Sequence, residues 1–139
     1  MIASDHVTGL APRGDLESLL AEVLAAERPA GRVAVVICDV VGLKAINERE
    51  GFRAGDAVLA GAGQALRNAA GEARLLARLG GDELVAVFVG AEAPIAASRT
   101  AAALAADTRP RLRSAAVIAE QNDTPGRLVD RLYATMRRS

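Results

Sequence analysis

The chain has 139 residues, 17 acidic and 17 basic side chains, and a formal net charge of zero, so bulk electrostatics makes no case for nucleic acid or an anionic membrane as partner. Its 51% of hydrophobic residues include few aromatics (Phe52, Phe88 and Tyr133), so the core has to come from Ala, Val, Leu and Ile. A lone cysteine, Cys38, excludes an internal disulfide framework and fits a reducing, cytoplasmic setting. The N-terminus lacks the basic start and apolar run of a secretory leader, and no apolar segment approaches the roughly 20 residues of a membrane span. The reading is one domain over residues 1–139, with nothing resembling a linker to a second one.

Residues 14–28 carry Leu16, Leu19, Leu20, Val23 and Leu24 at helical spacing, and Pro29-Ala30-Gly31 ends that helix. "RVAVVICD" (32–39) is a continuous β-branched run, the pattern of a strand buried on both faces, with Cys38 as one of its buried residues. Short helical patterns follow at 43–51, stopped by Gly51, and at 55–71, which is Ala-rich with Val58, Leu59 and Leu66 on one side. Two strands near 73–79 and 83–89 meet at Gly80-Gly81, a pair suited to the positive φ of primed hairpin turns. A helix at 94–107, a strand at 112–119 and a terminal helix from Pro125 to about Arg137 complete the chain, with no internal repeat. The order predicts an α/β (α+β) fold with a mixed, mostly antiparallel sheet surrounded by helices and a βααββαβ core.

Asp39 closes the first strand, and Asp82 and Glu83 stand at the hairpin turn. If those strands are neighbours, three carboxylates converge, and like charges that close require a cation. Oxygen-only donors favour Mg²⁺ or Mn²⁺ over zinc, a set suited to in-line chemistry at phosphorus. Each piece also has a plain structural reading: Gly-Gly-Asp-Glu as a solvated turn, Asp39 as a turn former ahead of Gly42. Lys44 is the sole lysine in a chain whose other basic side chains are arginines, which suits a site wanting a compact ammonium, although chance placement gives the same count.

Four segments in order resemble the GGDEF domain family, the diguanylate cyclases. "DHVTGLAPRGDLESLL" is similar to the family's opening D-x-L-T-G-L-x-N-R, and "VVICDVVGLKAINEREGFRAGDAVL" to its D-x-D-x-F-K-x-x-N-D-x-x-G-H-x-x-G-D-x-x-L. "ARLGGDEL" matches the signature turn with Leu84 for Phe, and "LVDRLYATM" resembles the closing A-D-x-A-L-Y-x-A-K. The resemblance implies metal ligation by Asp39, the Val40 carbonyl, Asp82 and Glu83. It implies phosphate binding by Lys44 and the main chain around Gly42 and Leu43, with Gly80 and Gly81 giving the phosphates room. Asn47 and Asp56 would read the guanine edge, Asp56 accepting from donors that adenine lacks.

The implied reaction condenses two GTP into cyclic di-GMP with release of two pyrophosphates, using Mg²⁺ (or Mn²⁺). A carboxylate or a metal-bound hydroxide takes the 3′ proton. One GTP half-site per chain makes a homodimer necessary for turnover, and a regulatory protein supplied in trans is a further expected partner. Several positions depart from the family pattern. Val41 replaces the second Asp of D-x-D, Leu43 a Phe and Phe52 a His, while Met136 takes the place of a phosphate-binding Lys that only Arg137 or Arg138 could replace. Region 90–112 is short for the family and expected to lack a β-hairpin, and Gly71-Glu72-Ala73-Arg74 stands where an R-x-x-D product-inhibition motif would be. These departures favour an alternative, a non-catalytic module of the same fold that binds GTP or a protein; a related nucleotidyl cyclase or polymerase-like palm acting on another nucleotide is a third reading.

Overall fold

The structure, a computed structural model, describes residues 4–26, 29–106 and 110–138. Its elements in chain order are α1 (Arg13–Ala25), β1 (Val33–Val40), α2 (Leu43–Glu50), α3 (Phe52–Ala69), β2 (Leu75–Arg78), β3 (Glu83–Val89), α4 (Ala93–Ala105), β4 (Leu112–Ile118) and α5 (Pro125–Arg138). The βααββαβ order is as expected. The third helix begins at Phe52 rather than Gly55, because Gly51 alone, at φ +92°, separates α2 from α3. The expected ends of the first helix at Glu27 and Arg28, and of the fourth at Asp107, lie outside the described residues.

The strands form one sheet in the order β2-β3-β1-β4, with every strand pair antiparallel. A parallel bridge, Ala11 to Ala77, lays the N-terminal segment along the outer edge of β2. The β-branched run of β1 explains its central position, since both of its faces are covered. On one face Ala34, Val36, Cys38 and Val40 pack with Leu59 and Leu66 of α3 and Ala96, Ala97 and Leu104 of α4. On the other, Val33, Val35 and Ile37 pack with Leu16 and Leu20 of α1 and Leu128, Leu132 and Met136 of α5. Small alanines let α4 approach α3, and buried Thr100 donates from Oγ1 to the Ala69 carbonyl at 3.2 Å. Burial raises the Cys38 thiol to about 12, with neighbouring Asp39 adding to the effect, so it stays protonated, as expected of a core residue.

Two aspartates clamp the chain outside the sheet. Asp5 Oδ2 accepts from the Thr8 amide and hydroxyl, each at 2.7 Å, and its Oδ1 accepts from Arg78 Nη1 at 2.7 Å. Asp123 pairs with Arg131 and accepts from the Glu120 amide at 2.8 Å. Burial alone would raise both carboxyls, but hydrogen bonds and the facing arginines win and hold both below the ordinary 3.8. A carboxyl lowered on folding stabilises the fold above its unfolded pKa, and that gain is lost as pH falls through the folded value. The unfolding midpoint is therefore expected to be flat from about pH 7 to 5 and to drop below about pH 4. Thermal melts of Asp5→Asn/Asp123→Asn should lose this acid drop in part; an equally steep drop would place its source in other groups.

A cleft at the ends of the central strands

The register of the sheet sets a row of charged side chains across three strands. Asp39 lies opposite Glu83 of β3 on one side and opposite Arg113 of β4 on the other. Residues directly opposite in antiparallel pairs share a face, so all three project from the side covered by α1 and α5, just beyond the apolar rows. There the Asp39 carboxylate is gripped by one guanidinium: Arg113 Nη2 donates to Oδ2 at 2.8 Å and Nε to Oδ1 at 3.3 Å. That hydrogen bond, then the charge of Asp39 and more weakly that of Asp82, raise the Arg113 pKa, although burial works the other way. Glu83 Oε1 instead accepts from the Tyr133 hydroxyl of α5 at 2.9 Å. Burial first, and then the Glu83 carboxylate, push the Tyr133 phenol upward, so it remains a donor.

Asp39, Val40, Val41, Gly42, Leu43, Lys44, Asp82 and Arg113 line a cleft of about 330 Å³ at this end of the sheet. Gly42 enters α2 at φ +77°, a conformation that favours glycine, and no side chain caps the helix. Among the described residues the backbone N–H groups of the first turn of α2, beside Lys44, thus have no side-chain acceptor, an arrangement that favours anions. Leu43, the family's Phe position, is buried in the core beneath this turn. Asn47 and Asp56 stand outside the cleft lining, at the corner between α2 and α3. A Cβ on Gly55 would sit 1.6 Å from Asn47 Oδ1, so that glycine is what lets the Asn47 amide lie against α3.

The hairpin differs from expectation. Neither Gly80 nor Gly81 has positive φ, and the connection is a four-residue loop, 79–82, rather than a primed two-residue turn. Arg78 shapes it, donating from Nε to the carbonyls of Gly80 at 3.3 Å and Gly81 at 3.2 Å while holding Asp5. The opening D-x-x-T-G-L segment is thereby tied to the signature turn. Space at Gly80 is taken by protein: a Cβ there would meet Glu83 Oε1 at 2.1 Å, whereas at Gly81 it would meet nothing within 4 Å.

The expected meeting of three carboxylates is realised in the backbone and not in the side chains. Asp39 and Glu83 are in register and Asp82 joins Asp39 in the cleft wall. Among the described residues, however, no group of three or more His, Cys, Asp or Glu is close enough to hold a metal. Asp39 and Glu83 instead have separate partners, Arg113 and Tyr133. Met136 is a core residue, while Arg137 and Arg138 are exposed at the end of α5. Val41, in the place of the family's second Asp, is 46% exposed and lines the cleft. Helix α4 occupies 93–105, and no hairpin interrupts the described residues between 90 and 112. Arg113 was not among the residues singled out in the sequence; the signal available was a basic residue placed in alternation with Ala115 and Val117 on the strand.

A profile of the family described as "Diguanylate cyclase, GGDEF domain" matches residues 2–123, and the chain belongs to the GGDEF domain family. Diguanylate cyclase TpbB of Pseudomonas aeruginosa is 35% identical over 102 residues, covering 73% of this chain and 22% of that protein. The solved GGDEF domain of TpbB superposes with a TM-score of 0.77 at 29% identity, covering 99% of this chain and 90% of that one. The GGDEF domain of DgcB from Caulobacter crescentus, solved with c-di-GMP, has a TM-score of 0.82 at 20% identity over 98% and 88% of the two chains, a likeness of fold. The chain spans between 9% and 37% of the length of the curated relatives it matches. No helix among the described residues is long and apolar enough to cross a membrane.

Proposed function

We propose that this domain is a diguanylate cyclase half-site that binds one GTP and, paired with a second copy, condenses two GTP into cyclic di-GMP. The observation that carries the reading is the register of Asp39 against Glu83 beside a cleft that also holds Lys44 and the open first turn of α2. Family membership, and relatives that are themselves diguanylate cyclases, support it.

Lys44 and the N–H groups after Gly42 bind the polyphosphate, neutralising charge that the acidic strand ends alone would repel. Asn47 and Asp56 hold the guanine; Asp56 accepts from N1–H and the exocyclic amine, a pair of donors that adenine does not present on that edge. In each half-reaction the 3′-oxygen of one GTP bonds to the α-phosphorus of the other. The bond from that phosphorus to the bridging oxygen breaks and pyrophosphate leaves with the electron pair. A carboxylate of the Asp39, Glu83 pair receives the 3′ proton. Because the second nucleotide has to come from another copy, turnover needs a homodimer.

The donor set fits a divalent cation in kind: Asp39, Asp82, Glu83 and the Val40 carbonyl offer only oxygens, and Asp39 already carries a positive group, the Arg113 guanidinium, in this structure. When bound, Mg²⁺ or Mn²⁺ supplies neutralisation of the polyphosphate and of the charge that develops at phosphorus. Engaging it requires Asp39 and Glu83 to exchange their present partners. Val41 and the Arg113 pairing favour a second reading, a GTP-binding module with little or no turnover.

Base recognition supplies a test. Asp56→Ala is expected to reduce the preference for GTP over ATP, measured by calorimetric titration, by about tenfold to a hundredfold, the worth of hydrogen bonds to a charged acceptor. Unchanged discrimination would remove Asp56 from the base site.

A further inference from the structure

Among the eight residues lining the cleft, Asp39 and Asp82 are opposed by Lys44 and Arg113, so its charges balance with no added cation. Arg113 is the distinctive member. It comes from β4, a strand that contributes none of the family's motifs quoted above, and its guanidinium contacts both Asp39 oxygens. The pair is also asymmetric: the Asp39 side chain is 14% exposed and that of Arg113 46%. A carboxylate held that firmly by the sheet has little freedom, whereas the arginine is a long chain half in solvent and free to swing.

We propose that Arg113 is a resident counter-ion: it occupies Asp39 until nucleotide arrives, competes with divalent metal for that carboxylate, and transfers to the incoming polyphosphate. Guanidinium suits both partners, since its planar fork matches carboxylate and phosphate alike. A bound triphosphate gives the arginine a stronger anion than Asp39 at the moment when the carboxylate is needed as a metal donor. Metal and nucleotide binding are thereby coupled through one side chain, and the coupling is reciprocal. Val41 fits the scheme. With a second aspartate at that position the cleft wall would hold one more negative charge than its two cations balance.

The inference rests on the proposed nucleotide site, but its test needs no turnover. Mn²⁺ binding to nucleotide-free protein is followed by the loss of the free-ion electron paramagnetic resonance signal, for the native chain, Arg113→Gln, Arg113→Lys and Arg113→Gln/Asp39→Asn, with folding checked by circular dichroism. Removing the competing charge is expected to tighten Mn²⁺ binding by about tenfold in Arg113→Gln. Arg113→Lys should stay near the native value, and the gain should vanish when Asp39 is also replaced. Equal binding by the native chain and Arg113→Gln overturns the proposal, as does a gain that survives Asp39→Asn or appears equally with lysine. Should Arg113→Gln not fold, the native chain decides: GTP binding in EDTA is expected within about tenfold of that in Mg²⁺, because Arg113 itself meets the phosphates, and a larger loss overturns the idea. Tighter Mn²⁺ binding in a protein that makes no cyclic di-GMP would sustain the counter-ion role and remove the proposed reaction.

Discussion

Glu83→Gln is expected to lower the rate of cyclic di-GMP formation by roughly a thousandfold, the scale of losing a positioned acid–base group in a charged site. The substitution changes charge and almost nothing else. A glutamine has the same length, and its amide oxygen can accept from Tyr133 as the carboxylate now does at 2.9 Å. Leu84, the next residue, remains buried, so the β3 ladder and its register with β1 are kept. Relieving one of several nearby negative charges leaves stability unchanged or slightly higher, so the unfolding midpoint should move by no more than a few degrees. Initial rates by mass spectrometry at saturating GTP check the first expectation and thermal melts the second. A rate within tenfold of native would show that Glu83 acts only as the partner of Tyr133.

Gly80→Ala carries the second large effect, and it acts on the same carboxylate by a different route. The added Cβ would lie 2.1 Å from Glu83 Oε1 and 3.1 Å from its Cδ, so the side chain has to leave its present position. An ångström-scale misplacement of a reacting group costs on the order of a hundredfold in rate. The backbone of Gly80 itself has no positive φ, so alanine introduces no backbone strain, and the loop held by Arg78 should persist. Gly81→Ala separates the two routes: its Cβ would meet no protein atom within 4 Å, so Glu83 keeps its position and any loss of rate there reports on phosphate approach rather than on Glu83. Combining Gly80→Ala with Glu83→Gln should be no worse than Glu83→Gln alone, since both act through one group. Additive losses would mean that Gly80 serves something other than Glu83, such as the close approach of phosphate to the main chain.

These two glycines show how far the sequence can be read. "LGGDEL" announces a turn between strands and an acidic pair beside it, and both are present. The turn type is a different matter. It depends on Arg78 reaching the Gly80 and Gly81 carbonyls and on Asp5 holding Arg78 from 73 residues away, which no local pattern encodes. Strand β1 was legible because a run of β-branched residues has few other places to go than the middle of a sheet. Asp39 was legible for the same reason, as the first charge after that run.

Arg113 was not legible as a partner of Asp39. Their contact spans 74 residues and exists only because β4 pairs with β1 in one register; a shift of one residue would turn Arg113 to the opposite face. Tyr133 was visible as part of a closing motif, but its bond to Glu83 needs α5 packed over that face of the sheet. Met136 stands where a phosphate-binding lysine was expected by resemblance, and amphipathic packing against Leu132 and Val129 has made it core instead. Motif and register thus carry different parts of the site. The motif names the acids, while the register supplies the cations and donors that hold them.

One product decides whether this domain is a cyclase. Purified protein is incubated with GTP and Mg²⁺ over a range of protein concentrations, and the nucleotides are resolved by mass. The prediction is cyclic di-GMP accompanied by two equivalents of pyrophosphate, with a rate that rises more steeply than protein concentration while the dimer is forming. GTP that binds yet is recovered unchanged at the highest protein concentration would contradict it and leave a nucleotide-binding module in its place.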